Sequence, residues 1–94
     1  MGRKRGFGDW PDWWEWELEL TPHLFKRMVD RSFSETDLRA MMESASGYRP
    51  STQEGRFIIE TTHDRHSWEV VVEPDEADRV LVVVTAYEIA GEQP

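Results

Sequence analysis

From Trp14 to Leu20 apolar and acidic residues alternate without a break. Trp14, Trp16, Leu18 and Leu20 fall on one side, Glu15, Glu17 and Glu19 on the other. A period of two predicts a half-buried strand with an acidic outer face, and glutamates there also oppose edge-to-edge aggregation. The period then changes. Thr21 offers a helix cap, Pro22 suits the first helical position, and Leu20 stands where it can staple onto Phe25. Leu24, Phe25, Met28 and Val29 make the apolar face of this helix. His23, Arg27 and Arg31 recur every four residues on the ridge read as opposite, with Lys26 beside them. A second helix follows at once. Ser34 and Asp37 form a capping-box pair, Phe33 can staple onto Leu38, and Gly47 is the expected stop. Leu38, Met41, Met42 and Ala45 supply its buried stripe.

The second half of the chain reads as β. The runs "RFIIETTH" and "SWEVVVEP" are rich in β-branched and aromatic residues and flank a tight turn at Asp64 and Arg65. Pairing His63 with His66 sets Glu60 opposite Glu69, an unfavourable like-charge contact that a four-residue loop would avoid. The pattern leaves both registers open. "PDEAD" reads as a turn broken by Pro74, and "RVLVVVTAYEI" is apolar on both faces, the mark of a strand covered on both sides. The expected fold is therefore α+β: a strand, two short helices, then a three-stranded antiparallel meander, with the helices packed on one face of the sheet. Residues 1–13 read as a loosely held, tryptophan-rich arm, 14–90 as one domain and 91–94 as a tail. Trp10 and Trp13 lie outside the alternation and have no role in it.

Composition narrows the choices. Ninety-four residues suffice for one domain with a modest core. The absence of cysteine excludes disulfides, thiolate metal sites and a cysteine nucleophile, and fits a reducing cytoplasm. No apolar run approaches the ~20 residues that span a bilayer, and the basic start "MGRKRGFGDW" lacks the apolar stretch of a secretory signal. A soluble cytoplasmic protein without membrane contact is expected. The net charge of −8 opposes a general nucleic-acid coat, but basic residues gather around the first helix and mid-chain, where a local anion site remains open.

Three constellations carry candidate chemistry. The first is the ridge of His23, Arg27 and Arg31, joined by Arg49 and Arg56. Metal-free RNA cleavage needs a proton acceptor at the 2′-hydroxyl, a donor at the leaving oxygen and fixed positive charge on the phosphate, and this ridge holds parts of that set. A polar helix face occupied by Lys and Arg is its plainer explanation. The second is Glu60, His63, Asp64 and His66 at the hairpin tip. These are metal-ligand types, but alternation sends Glu60 and His63 to opposite faces, so no metal is expected. In the third, Thr85 and Tyr87 share a strand face from which hydroxyls can reach a phosphate or a ring can stack on a base. No nucleotide-binding, kinase or hydrolase-elbow signature occurs, and no cofactor is expected.

The stretches "ELTPHLFKRMVDRSFSETDLRAMM", "GRFIIETTHDRHSWEVVVEP" and "VLVVVTAYEI" resemble a family of small uncharacterised bacterial domains. That family is similar to the RelE/ParE-type toxins and the wider barnase, EndoU and colicin-like ribonuclease superfold. The resemblance spans roughly residues 14–90. It implies a metal-independent ribonuclease fold, with RNA as substrate and an antitoxin as protein partner. His23 and Arg27 would then be catalytic, with Arg31, Arg56, Thr85 and Tyr87 around the phosphate. The competing expectation is a non-catalytic interaction module in which Trp10, Trp13 and Trp14 insert into a partner or a second copy of the chain.

Overall fold

The computed structural model describes residues 10–89. It is an α+β fold with two helices on one side of a five-stranded mixed sheet. After a short 3₁₀ turn at Asp12–Glu15 come β1 (Glu17–Leu20), α1 (Pro22–Arg31), α2 (Glu35–Glu43), β2 (Gly47–Pro50), β3 (Phe57–His63), β4 (His66–Asp75) and β5 (Val80–Glu88). The strands lie in the order β1-β5-β4-β3-β2. β2 to β5 form an antiparallel meander, and β1 joins β5 in parallel, Glu17 opposite Val80 and Leu20 opposite Val83.

Both helices begin as the sequence predicts. Thr21 Oγ1 accepts the Leu24 backbone N–H at 3.0 Å and donates to the Val84 carbonyl at 2.9 Å, so the cap also fastens α1 to β5. Ser34 and Asp37 exchange the two bonds of a capping box. That bond from the Ser34 backbone holds the Asp37 carboxyl below its ordinary range. The capping bonds are formed between exposed groups. Thr61 Oγ1 is buried and donates to the Met41 carbonyl, which ties α2 to β3.

Several expectations need correcting. The strand predicted from Trp14 starts at Glu17, because Pro11 opens a 3₁₀ turn closed by the Trp14 and Trp16 backbone N–H groups. Gly47 does not stop α2, which ends at Glu43 with Ser44 as its C-cap; it opens β2, a fourth strand of the meander that the short segment Gly47–Pro50 does not announce by any alternation. Pro74 lies inside β4, opposite Leu81, and the turn is made by residues 76–79 after the strand ends, where Asp75 Oδ1 accepts the Ala77 and Asp78 backbone N–H groups. The apolar face of α1 is divided: Leu24 and Met28 are buried, whereas Phe25 is 51 % and Val29 78 % exposed. Only the Leu24–Met28 line meets the sheet.

The core gathers Leu24, Met28, Leu38, Met41 and Met42 from the helices, and Ile59, Trp68, Val70, Val72, Leu81, Val83 and Ala86 from the sheet. Trp13 belongs to it. It was expected in a loose arm, but it is 8 % exposed and packs against Tyr48 and Phe57 at ring separations of 5.7 and 5.0 Å. Trp10 stacks on Trp14 and Tyr48. The rest of the expected arm, 1–9, and the expected tail, 91–94, fall outside the described residues.

Candidate functional site: the α1 ridge and the open face of the sheet

The predicted site residues fall into two sets on opposite sides of the sheet. His23, Arg27 and Arg31 lie along α1. With about 3.6 residues per turn, their ridge flanks the buried Leu24–Met28 line, and Arg27 is accordingly half-buried while His23 and Arg31 are exposed. Lys26 is exposed on the outward side. Among the described residues none of these four takes part in an ion pair or a side-chain hydrogen bond.

Arg49, Arg56, Thr85 and Tyr87 lie on the face of the sheet that the helices leave open. The alternation fixes this: Ala86 is buried against the helices, so its neighbours Thr85 and Tyr87 point away from them. The structure does not bring Arg56, Thr85 and Tyr87 into one pocket with His23 and Arg27. Nor do Arg49 and Arg56 join the helical ridge.

The open face has a constellation of its own. The β3–β4 hairpin takes the two-residue turn, with Asp64 and Arg65 left-handed at φ 55° and 69°, so His63 pairs with His66 and Glu60 does stand opposite Glu69. Arg49 of β2 relieves the repulsion. Its Nη1 donates to Glu60 Oε2, and its Nη2 to Glu69 Oε2 at 3.1 Å. Both bonds favour the charged guanidinium and raise the Arg49 pKa further. Tyr87, opposite Glu69 in β5, donates its hydroxyl to Glu69 Oε1 at 2.8 Å. Partial burial, and after it this bond, push the Tyr87 phenol above its ordinary value. Arg56 Nε donates to Glu73 Oε1 at 3.0 Å and Nη1 to Gln53. Thr85 Oγ1 is buried with no hydrogen-bond partner among the described residues.

Chemically, the open-face arginines are occupied: each neutralises carboxylates of its own sheet, and a phosphate would have to displace them. Among the described residues the α1 cations pair with no carboxylate, Asp30 of the same helix included. Alternation alone misses the Arg49–Glu60–Glu69–Tyr87 network, because Arg49 sits on a strand too short to show a period. The signal that could have found it is the Glu60–Glu69 conflict, which calls for a cation from a third strand. At the hairpin tip Glu60 turns to Arg49, whereas the His63 ring meets Trp68 edge-on at 5.6 Å, so the two diverge.

β5 was expected to be covered on both faces. The helices cover one; on the other, Val82 and Val84 are half-buried. Among the described residues no helix is long and apolar enough to cross a membrane.

These elements define a small α+β domain with a one-sided helical layer. Residues 20–88, from the end of β1 to the end of β5, match the family model described as "Domain of unknown function (DUF4258)", and the chain belongs to that family. Neither a curated protein nor a solved structure matches it significantly.

Proposed function

We propose that the chain is a cytoplasmic RNA-binding domain of the ribonuclease-toxin type, with α1 as its phosphate-contacting face. The observation that carries the reading is the contrast among its cations. Arg39, Arg49 and Arg56 each hold a glutamate, while His23, Lys26, Arg27 and Arg31 share one short helix with no acidic partner among the described residues. In a chain of net charge −8 carboxylates are plentiful, so a helix that keeps its cations free presents a local positive field. Side chains four apart on a helix stand about 5–6 Å from each other at Cβ, a spacing that lets successive residues follow a phosphate backbone. The resemblance to RelE/ParE-type toxins supports the same reading, and the agreement between a one-sided helical layer and the expected ribonuclease architecture is consistent with it.

In this reading Arg27 and Arg31 hold phosphate oxygens, and His23 takes or returns a proton as the 2′-hydroxyl attacks. One histidine provides one of the two proton transfers; water supplies the other. Thr85 and Tyr87 lie on the other side of the sheet and are left out of the site, as is Arg56, which Glu73 holds.

Binding of short single-stranded RNA at low salt tests the proposal. We expect an affinity that falls with salt at a log–log slope of about −1.4, as the two phosphate contacts to a single strand require, and that drops in Arg27→Ala and Arg31→Ala. His23→Ala is expected to retain binding and to lose cleavage. Absence of binding at low salt, where electrostatics is strongest, would refute the reading. Binding without cleavage in the parent protein would leave an RNA-binding domain and remove the enzyme.

A further inference from the structure

A separate cleft of about 350 Å³ opens at the end of the sheet where the 3₁₀ turn meets the β4–β5 turn, lined by Asp12, Trp13, Trp16, Glu76 and Arg79. Its volume lies within the roughly 300–1,000 Å³ of small-ligand sites. Two indoles form its apolar wall. Two carboxylates, Asp12 and Glu76, stand at it, and neither has an ion pair or a side-chain hydrogen bond among the described residues. The guanidinium of Arg79 lies over the Trp16 ring, 5.3 Å from its centroid.

The placement of Arg79 sets this cleft apart from a chance dent. Arg79 is left-handed, at φ 57°, a conformation that glycine or asparagine adopts more easily. Arg65 shares that conformation in the β3–β4 turn, so what distinguishes Arg79 is where its side chain goes. The guanidinium rests on an indole face and pairs with neither carboxylate. Indole is the best aromatic face for a cation, and the protein's own arginine demonstrates that this one accepts a guanidinium. With two carboxylates against one arginine, the cleft keeps a net negative charge. An anionic ligand would be repelled, and a neutral donor would gain a hydrogen bond from the acids but no charge pairing.

We propose that the cleft binds an alkylammonium or guanidinium group, and that Arg79 occupies the Trp16 face in the free protein and yields it to the ligand. Such a group reaches the site on a basic peptide side chain or as a free polyamine. The cleft is independent of the α1 ridge, so this inference stands or falls separately from RNA binding.

The test follows the indole N–H resonances of the full chain, which has five tryptophans, assigned with Trp16→Phe. Ethylguanidinium is titrated beside ethylurea, its neutral planar counterpart. We expect the Trp13 and Trp16 resonances to move with the cation and not with the urea. Arg79→Gly relieves the left-handed backbone and frees the ring, and should tighten binding about fivefold, the equivalent of one exposed cation–π contact. Glu76→Gln should weaken it. A Gly-Arg-Gly peptide and spermidine, compared in the same way, identify the source, and preference for either supports the site. Equal response to ethylurea, no response in both the parent and Arg79→Gly, or loss of binding in Arg79→Gly would overturn the proposal; the last would make Arg79 a ligand rather than a placeholder.

Discussion

Ile58 and Ile59 are neighbours on β3, yet Ile59 is fully buried beneath the helices and Ile58 lies half-buried on the open face. The same division runs across the sheet, with Val70, Val72, Leu81 and Val83 on the covered side and Val71, Val82 and Val84 on the other. The strands are apolar on both sides, but only one side has a second layer. On the open side long polar side chains serve instead, Arg49 spanning Glu60 and Glu69 and Tyr87 reaching Glu69 from the neighbouring strand. Apolar stems of such residues shelter their neighbours while the charged ends stay in water. One face is held by packing, the other by a charged lattice laid over valines.

The sharpest break between the faces should appear in a matched pair of truncations. Ile59→Ala removes fully buried methyl groups and is expected to cost about 2–5 kcal/mol, whereas Ile58→Ala should cost about 1 kcal/mol, both read from denaturant unfolding. Equal losses would show that a further layer covers the open face in solution. A smaller effect is expected from Arg49→Ala, which leaves Glu60 and Glu69 facing each other unscreened. Their repulsion is then unrelieved, so the variant should lose stability, and the loss should shrink as added salt screens the two carboxylates. A variant as stable as its parent at neutral pH would show that the lattice contributes nothing. The smallest effect belongs to Tyr87. Because its folded pKa is raised, its contribution is present below the unfolded value of about 10 and is lost as pH rises beyond it. The parent should therefore lose stability on alkaline titration more steeply than Tyr87→Phe, as followed by circular dichroism.

The helices were legible because caps are local: Thr21, Pro22, Ser34 and Asp37 do in the fold what their positions announce. β3 to β5 were legible from composition and turns. What escaped was set by partners far away in the chain. β2 is recognisable only once Tyr48 meets Ile59 and Arg49 meets Ile58. The parallel β1–β5 pair leaves no mark on either strand. Trp13 gave no periodic signal because a 3₁₀ turn places it, and its burial depends on Tyr48 and Phe57. The α1 ridge was visible as a pattern, yet its distinctive property is the absence of acidic partners, which only the packing of the other arginines brings out. The Trp16–Arg79 cleft joins two turns that are remote in sequence and was not legible at all.

The bond from Thr21 to the Val84 carbonyl joins residues 63 positions apart. β1 lies against β5 in the same long-range closure. During synthesis β1 leaves the ribosome early and must wait for almost the whole domain before its partner strand exists. Contacts of such separation slow folding, since loop closure precedes any reward from pairing. The meander can assemble from neighbouring hairpins meanwhile, which makes β1 the natural last strand to dock. In that interval Leu18 and Leu20 lack their cover, and the glutamates at 17 and 19 become the chain's protection against premature association with another nascent strand.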